Sequence, residues 1–406
     1  MQSSAQHSLP LTIESQTNKL KMKRRNFRDY SHFNEVLLNL SGLLPFKSGY
    51  NLLNLSIGIL NVLASIFVFG PGLWALFFRW HTISASERIT ILGEENVHII
   101  CAIKACILIP KRHELYKLTE SCAKLWRYVE TEEDSTIVEG YAKRGLYLSY
   151  GFAANCFLGI SFCLITPLFE NFVQDANGTV VQSIALPYSA GMFHDNVKQF
   201  YIWYALQVPT SCDSLLAIVA IDTGLSFYIL HACAHMRLCQ KFFQRINEDI
   251  TLGKDLELDA IEWNKRKKKF FRHVVKSVSY HKEVLQYSND LEEVFSSVIL
   301  VQTMQGIMAI CGYSFGALLG EEKERPRSTA CALAVTLQLL LLCWPPDSLQ
   351  DESIKVAHAA YDLPWYDWTE KEGRLVCMII AKSQRPVVLT AKKFAIISLQ
   401  TFTFVL

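Results

Sequence analysis

The chain has 406 residues, of which 50% are apolar and only 19% charged, with 40 Lys and Arg against 38 Asp and Glu. That balance excludes an ordinary soluble multidomain protein and points to a membrane protein, while a net charge of +2 offers no bulk attraction to nucleic acid, so no nucleic-acid partner is expected. The twelve cysteines fall mostly inside apolar runs and read as small helical side chains rather than as a disulfide scaffold.

Residues 1–35 are polar, and their basic cluster "KLKMKRRNFR" is not followed at once by a short apolar core, so no cleavable signal peptide is expected. Apolar runs then occur at 52–78, 89–109, 146–168, 200–230, 294–319, 328–344 and 387–406, which predicts an all-α membrane protein with seven transmembrane helices. In the first, "GPG" at Gly70–Gly72 predicts a kink, because Pro71 lacks the backbone donor. Glu94, Glu95, His98 and Lys104 interrupt the second. The fourth is longer than a bilayer needs, so its helix is expected to project beyond the membrane. Asp213 and Asp222 within it are costly in lipid and are expected to cap or pair at a helix interface. Tyr201, Trp203 and Tyr204 at its outer end fit either an interfacial belt or the mouth of an apolar pocket.

Three motifs read more simply as structure than as chemistry. "HACAH" at His231–His235 sets two imidazoles at i and i+4 beside Cys233, but no third or fourth ligand is evident. With Arg237 it reads as a favourable charge set at a helix end, and no metal or other cofactor is expected. "GYSFG" at 312–316 matches the nucleophile-elbow pattern without the strand and sharp turn that pattern requires; Gly312, Gly316 and Gly320 fit a small-residue stripe for helix packing instead. "KRKKKFFRH" at 265–273 suits membrane lipid headgroups. No Walker loop, dinucleotide fingerprint or H-E-x-x-H helix is present in the sequence, so no enzyme activity is expected.

Charge sets the orientation. With the N-terminus inside, the cytoplasmic segments hold 31 of the 40 Lys and Arg and the outer loops hold 6. Asn177, in the sequon "NGT" of the longest outer loop, is then a glycosylation candidate. The last run, Phe394–Leu406, is thirteen residues, about 20 Å as a helix against a hydrocarbon core of about 30 Å, so the seventh helix is expected to be truncated in this sequence.

The C-terminal third carries a family resemblance. Ala359, Ala360, Tyr361, then Trp365, Tyr366, Arg374, Gln384, Arg385, Pro386, then Leu389, Thr390, Ala391, Lys393, Phe394, and finally Ser398, Leu399, Thr401, Phe402, Val405 and Leu406 resemble, in order and spacing, the best-shared segment of insect odorant receptors. "YIWYALQ", "AIDTGLSFYILHACAHM" and "LLLLCW" also look like that family. The resemblance implies an odorant-binding tuning subunit of a ligand-gated, non-selective cation channel, assembled as a hetero-tetramer with an olfactory co-receptor and embedded as a multi-pass protein in the cell membrane of an olfactory neuron dendrite. Its volatile small-molecule odorant is expected in an apolar pocket of the outer half of the membrane. Helical spacing then nominates Val97, Ile100, Phe157, Ile160, Leu164, Tyr204, Val208 and Ser211 as its lining.

The resemblance further divides the chain into a cytoplasmic segment at 1–50, six helices at 51–344, a cytoplasmic anchor at 345–393 and a partial seventh helix at 394–406. The anchor is assigned Tyr361, Trp365, Tyr366, Arg374, Gln384, Arg385 and Pro386, and the start of the pore helix Lys393, Phe394, Ser398, Thr401 and Phe402. Two departures stand out: Pro345 and Pro346 replace an aromatic and a glycine at the exit of the sixth span, and Lys392 replaces a glycine. The family continues past Val405 and Leu406, which implies that about ten to twenty more residues are needed for a conducting pore. A gustatory receptor of the same superfamily lacks support in the last helix, and a G-protein-coupled receptor predicts an external N-terminus.

Overall fold

A computed structural model describes residues 26–45, 52–82, 85–170, 197–255, 260–319 and 325–405. Asn177 and Gly320 lie outside them. The described chain is built from ten α-helices with no strand among the described residues, as the apolar runs imply. In chain order these are α1 (Phe27–Leu40), α2 (Leu52–Phe78), α3 (Ala85–Leu108), α4 (Arg112–Leu125), α5 (Glu132–Glu170), α6 (Val197–Asp255), α7 (Ala260–Leu319), α8 (Arg325–Tyr361), α9 (Glu370–Ser383) and α10 (Leu399–Val405).

Five of them, α2, α5, α6, α7 and α8, are long and apolar enough to cross a membrane. Helix α3 has the length, at 24 residues, but not the composition, because Glu95, His98 and Lys104 interrupt it. All three are buried against neighbouring helices, so the polarity that weakens the span on paper is used inside the bundle. Gly72 of α2 accommodates this arrangement, since a Cβ there would stand 2.6 Å from Glu95 Oε1, and α2 continues through Pro71 as one helix.

Helix α6 is the central pillar. Its 59 residues make a rod of about 88 Å, far beyond the bilayer core, so it projects beyond the membrane as expected. Its most apolar window is 89% buried, against 12% for α5, and it packs against α1 through α5, α7 and α8. Inside that core the polar groups find partners: Tyr287 donates to the Tyr228 carbonyl at 3.0 Å, the Tyr228 and Thr119 hydroxyls are 2.7 Å apart, and Asn34 accepts from Thr223 at 2.8 Å. The amphipathic α1 closes one side, with Phe27 and Tyr30 packed on Trp126.

The two prolines of α8 do not end it. Helix α8 runs through Pro345 and Pro346 to Tyr361, and a neighbouring helix satisfies one of the carbonyls they leave open. Pro345 has no N–H to offer the Leu341 carbonyl four residues back, and Ser226 of α6 donates its hydroxyl to that carbonyl at 3.3 Å.

The final run differs from the single span read over 387–406. Residues 384–398 form a hairpin-like turn, in which Ala391 and Phe394 close a hydrogen-bonded turn at 3.0 Å and Thr390 bridges Ile396. Lys392 (φ 52°) and Lys393 (φ 65°) are its central residues, both in the left-handed region. This backbone breaks the apolar run, so the helix starts at Leu399, and Lys393 and Phe394 precede it.

Candidate functional site

Polar side chains descend along the inward face of α6, and each meets a different helix. Nearest the start, the Tyr204 hydroxyl donates to the Leu164 carbonyl of α5 at 2.8 Å, joining two residues nominated for the pocket. Two turns further, Ser211 is buried, and its hydroxyl has no hydrogen-bond partner among the described residues. One turn below, Ser214 Oγ stands 3.0 Å from Ser65 of α2 and 3.1 Å from His98 Nδ1 of α3. Cys101 of α3 turns its thiol toward the Ser214 carbonyl at 3.5 Å.

The ladder ends on an ion pair. Lys104 of α3, fully buried, places its ammonium 2.6 Å from Asp222 Oδ1, and Gln338 of α8 donates to Asp222 Oδ2 at 2.6 Å. Three helices are therefore tied through one carboxylate. This is the pairing expected of an aspartate inside a span, and it explains the lysine in the weak second run. Among the described residues Asp213 has no comparable cation; its backbone carbonyl accepts from Asn61 of α2 at 3.5 Å.

The nominated lining residues divide by exposure. Ile100 packs in a small buried cluster with Cys101, Ala217 and Ile218, and Leu164, Tyr204 and Ser211 gather around the outer part of α6. Ile160 and Val208 are half-buried, while Val97 (41%) and Phe157 (65%) lie on the outer surface of the chain. Sequence reading missed Ser65 and Ser214 and took His98 only as an interruption of its run, although polar residues within apolar runs are the signal that marks an inward helix face.

On the cytoplasmic side of the proposed topology the aromatic residues also divide. Trp365 and Trp368 pack against the core, whereas Tyr361 (64%) and Tyr366 (72%) project outward together with Met378. Arg374 pairs with Glu370 on the exposed face of α9, Gln384 and Arg385 are exposed, and Pro386 is half-buried. The turn beyond is clamped by Glu292 of α7, which accepts from the Thr390 N–H at 2.9 Å and from its hydroxyl. Ser353 of α8 accepts from the Val387 N–H at 2.9 Å. Asp347 of α8 then accepts the Leu399 N–H at 3.0 Å and so caps α10, with Ser398 and Thr401 3.3 Å apart at the same end. Phe402 is half-buried on α10 and Phe394 is exposed.

His231 and His235 engage separate partners. His231 Nδ1 faces the Phe227 carbonyl at 2.9 Å with its ring against Phe27, and His235 Nδ1 lies 2.7 Å from the Tyr280 hydroxyl. Among the described residues no three His, Cys, Asp or Glu side chains converge as a metal site would require.

A sequence profile described as 7tm Odorant receptor matches residues 96–406. Among similar proteins, Odorant receptor 22c of Drosophila melanogaster is 24% identical over 295 residues, covering 70% of this chain and 71% of its own. Odorant receptor Or2 of Anopheles gambiae is 23% identical over 308 residues, covering 74% of this chain and 76% of its own. The solved insect olfactory receptor OR5 of Machilis hrabei superposes with a TM-score of 0.75 over 93% of this chain and 94% of that one, at 12% identity, and so shares the fold.

Proposed function

The chain belongs to the 7tm odorant receptor family, and from that premise we propose that it is the odorant-recognising subunit of a ligand-gated cation channel formed with a co-receptor in the cell membrane, its N-terminus cytoplasmic. The observation that carries the recognition role is the buried, unpartnered hydroxyl of Ser211, set two helical turns below the Tyr204–Leu164 contact. A buried hydroxyl without a partner costs about 1–3 kcal/mol, a cost that a hydrogen-bonding ligand recovers. The odorant therefore sits among Leu164, Tyr204 and Ser211, with Ile160 and Val208 at its rim, and the polar ladder that begins at Ser214 closes the site below, above the level at which Ile100 packs on Ala217 and Ile218.

Gating follows as a population shift. A ligand biases the channel only by binding its open arrangement more tightly than its closed one. Helix α8 is placed to carry that bias, because it holds the Asp222 carboxylate through Gln338 and caps α10 through Asp347. The exposed Tyr361, Tyr366 and Met378 supply the apolar face for the co-receptor.

The test is co-expression with the co-receptor and recording of currents evoked by an odorant panel, for the native chain with its seventh span carried to full length and for Ser211→Ala in the same background. The native chain is expected to respond, and Ser211→Ala to lose about five-fold or more in potency for hydrogen-bonding odorants, with surface expression unchanged. Silence from the native chain at the cell surface, or an unaltered dose–response in the variant, refutes the reading. A tag on the N-terminus stained in intact cells refutes the orientation.

A further inference from the structure

A second site lies at the other end of the helix bundle. A cleft of about 260 Å³ opens between α5 and α8, floored by Leu230 of α6 and lined by Tyr141, Arg144, Trp344, Ser348, Asp351, Glu352 and Lys355. Leu230 is 26 residues beyond Tyr204 on the same helix, about 39 Å away, so the cleft is separate from the odorant site. Its volume falls just below the range of about 300–1,000 Å³ typical of whole-ligand pockets and suits a headgroup-sized occupant.

Its level in the membrane is fixed by sequence. On α5 the chain turns from charged to apolar directly after Arg144, and on α8 it turns from apolar to charged directly after Trp344. The cleft thus straddles the boundary between hydrocarbon and water on the Lys- and Arg-rich side. Above it, Tyr147 on α5 and Leu333 and Leu337 on α8 stand exposed, an apolar track for acyl chains. Trp344, Ser348, Asp351 and Lys355 recur at spacings of four, three and four and form one stripe of α8.

The charges in the cleft balance. Glu352 is held internally by Lys355 at 2.9 Å and by Gln240 at 2.8 Å. That leaves Arg144, whose guanidinium lies 5.2 Å from the Tyr141 ring, and Asp351, which forms no hydrogen bond or ion pair among the described residues. One cation and one carboxylate on opposite walls complement a zwitterion. A purely anionic headgroup meets Asp351 as a like charge, and a quaternary ammonium has no N–H to donate to it.

We propose that this cleft binds the headgroup of an inner-leaflet phosphatidylethanolamine, with the phosphate on Arg144 and the primary ammonium on Asp351 beside Trp344. A lipid held there bridges α5 and α8, two helices joined otherwise mainly through α6.

The test is native mass spectrometry of the full chain in detergent, with added palmitoyl-oleoyl phosphatidylethanolamine, phosphatidylcholine or phosphatidylglycerol. Expected is one retained phosphatidylethanolamine, at least ten-fold preferred over the other two, with the preference lost in Arg144→Gln and Asp351→Asn and kept in Arg127→Gln. Asp351→Asn is also expected to improve retention of phosphatidylglycerol. Equal retention of all three lipids, preference for phosphatidylglycerol by the native chain, or unchanged retention in both cleft variants overturns the proposal. Melting curves of each variant separate loss of the site from loss of the fold.

Discussion

The Lys104–Asp222 pair permits a quantitative test of how the bundle is held. At 2.6 Å the attraction is about 6 kcal/mol at an effective dielectric near 20, and desolvation of two buried ions offsets much of it. What survives is an asymmetry: the intact pair contributes little net stability, whereas either ion left alone costs about 3–5 kcal/mol. Asp222→Asn keeps the shape and an acceptor for Gln338 but strands the ammonium of a fully buried Lys104. Lys104→Met strands the carboxylate, leaving it the Gln338 donor alone. Each single variant is therefore expected to lower the folding equilibrium constant by about a hundred-fold or more, while the double variant returns to within about 1 kcal/mol of native. Fluorescence-detected size exclusion after a temperature series measures all four proteins. Native-like melting of both single variants, or a double variant as unstable as the sum of the singles, refutes the pairing.

Three further outcomes follow from other parts of the molecule. Lys392→Gly is expected to raise stability by about 1 kcal/mol, because a lysine at φ 52° carries strain that glycine does not; an unchanged melting temperature contradicts the left-handed turn. Asp347→Ala removes the acceptor of the Leu399 N–H and is expected to cost about 1 kcal/mol and to weaken odorant-evoked current, whereas Asp347→Asn, which keeps an acceptor, behaves as native; equal currents in the two variants contradict a latch between α8 and α10. Maleimide at pH 8 is expected to label the exposed Cys377 of α9 in the free chain and to be blocked there by the co-receptor. Cys122 is expected to stay unlabelled throughout, since burial pushes its thiol up to about 12; protection of neither site, or labelling of both, contradicts the placement of α9.

What the sequence disclosed and what it hid separate along physical lines. The long helices were legible because a bilayer demands uninterrupted apolar length, and the projecting fourth span appears as the single rod of α6. The weak second run was legible only in part. Its charges spoil the composition of a span, and the partner of Lys104 lies 118 residues away in Asp222, a distance that no local pattern bridges. The turn at Lys392 is a clearer case: a glycine there would have marked a left-handed position, whereas a lysine occupies that backbone geometry without any local sign of it.

Facing was the hardest property to read, and the reason is the solvent. In water an amphipathic helix reveals its buried side by contrast, as α1 does with Phe27, Tyr30, Asn34 and Leu38 turned inward. In lipid that contrast vanishes, since the surroundings are as apolar as a core, so Phe157 on the surface and Leu164 within the bundle look alike in sequence. Only polar atoms keep a directional preference there, because they must find partners. Ser65, His98, Ser214, Lys104 and Asp222 therefore report the inward faces of α2, α3 and α6, and they do so by the same energetics that leave the unpartnered hydroxyl of Ser211 as a place for a ligand to bind.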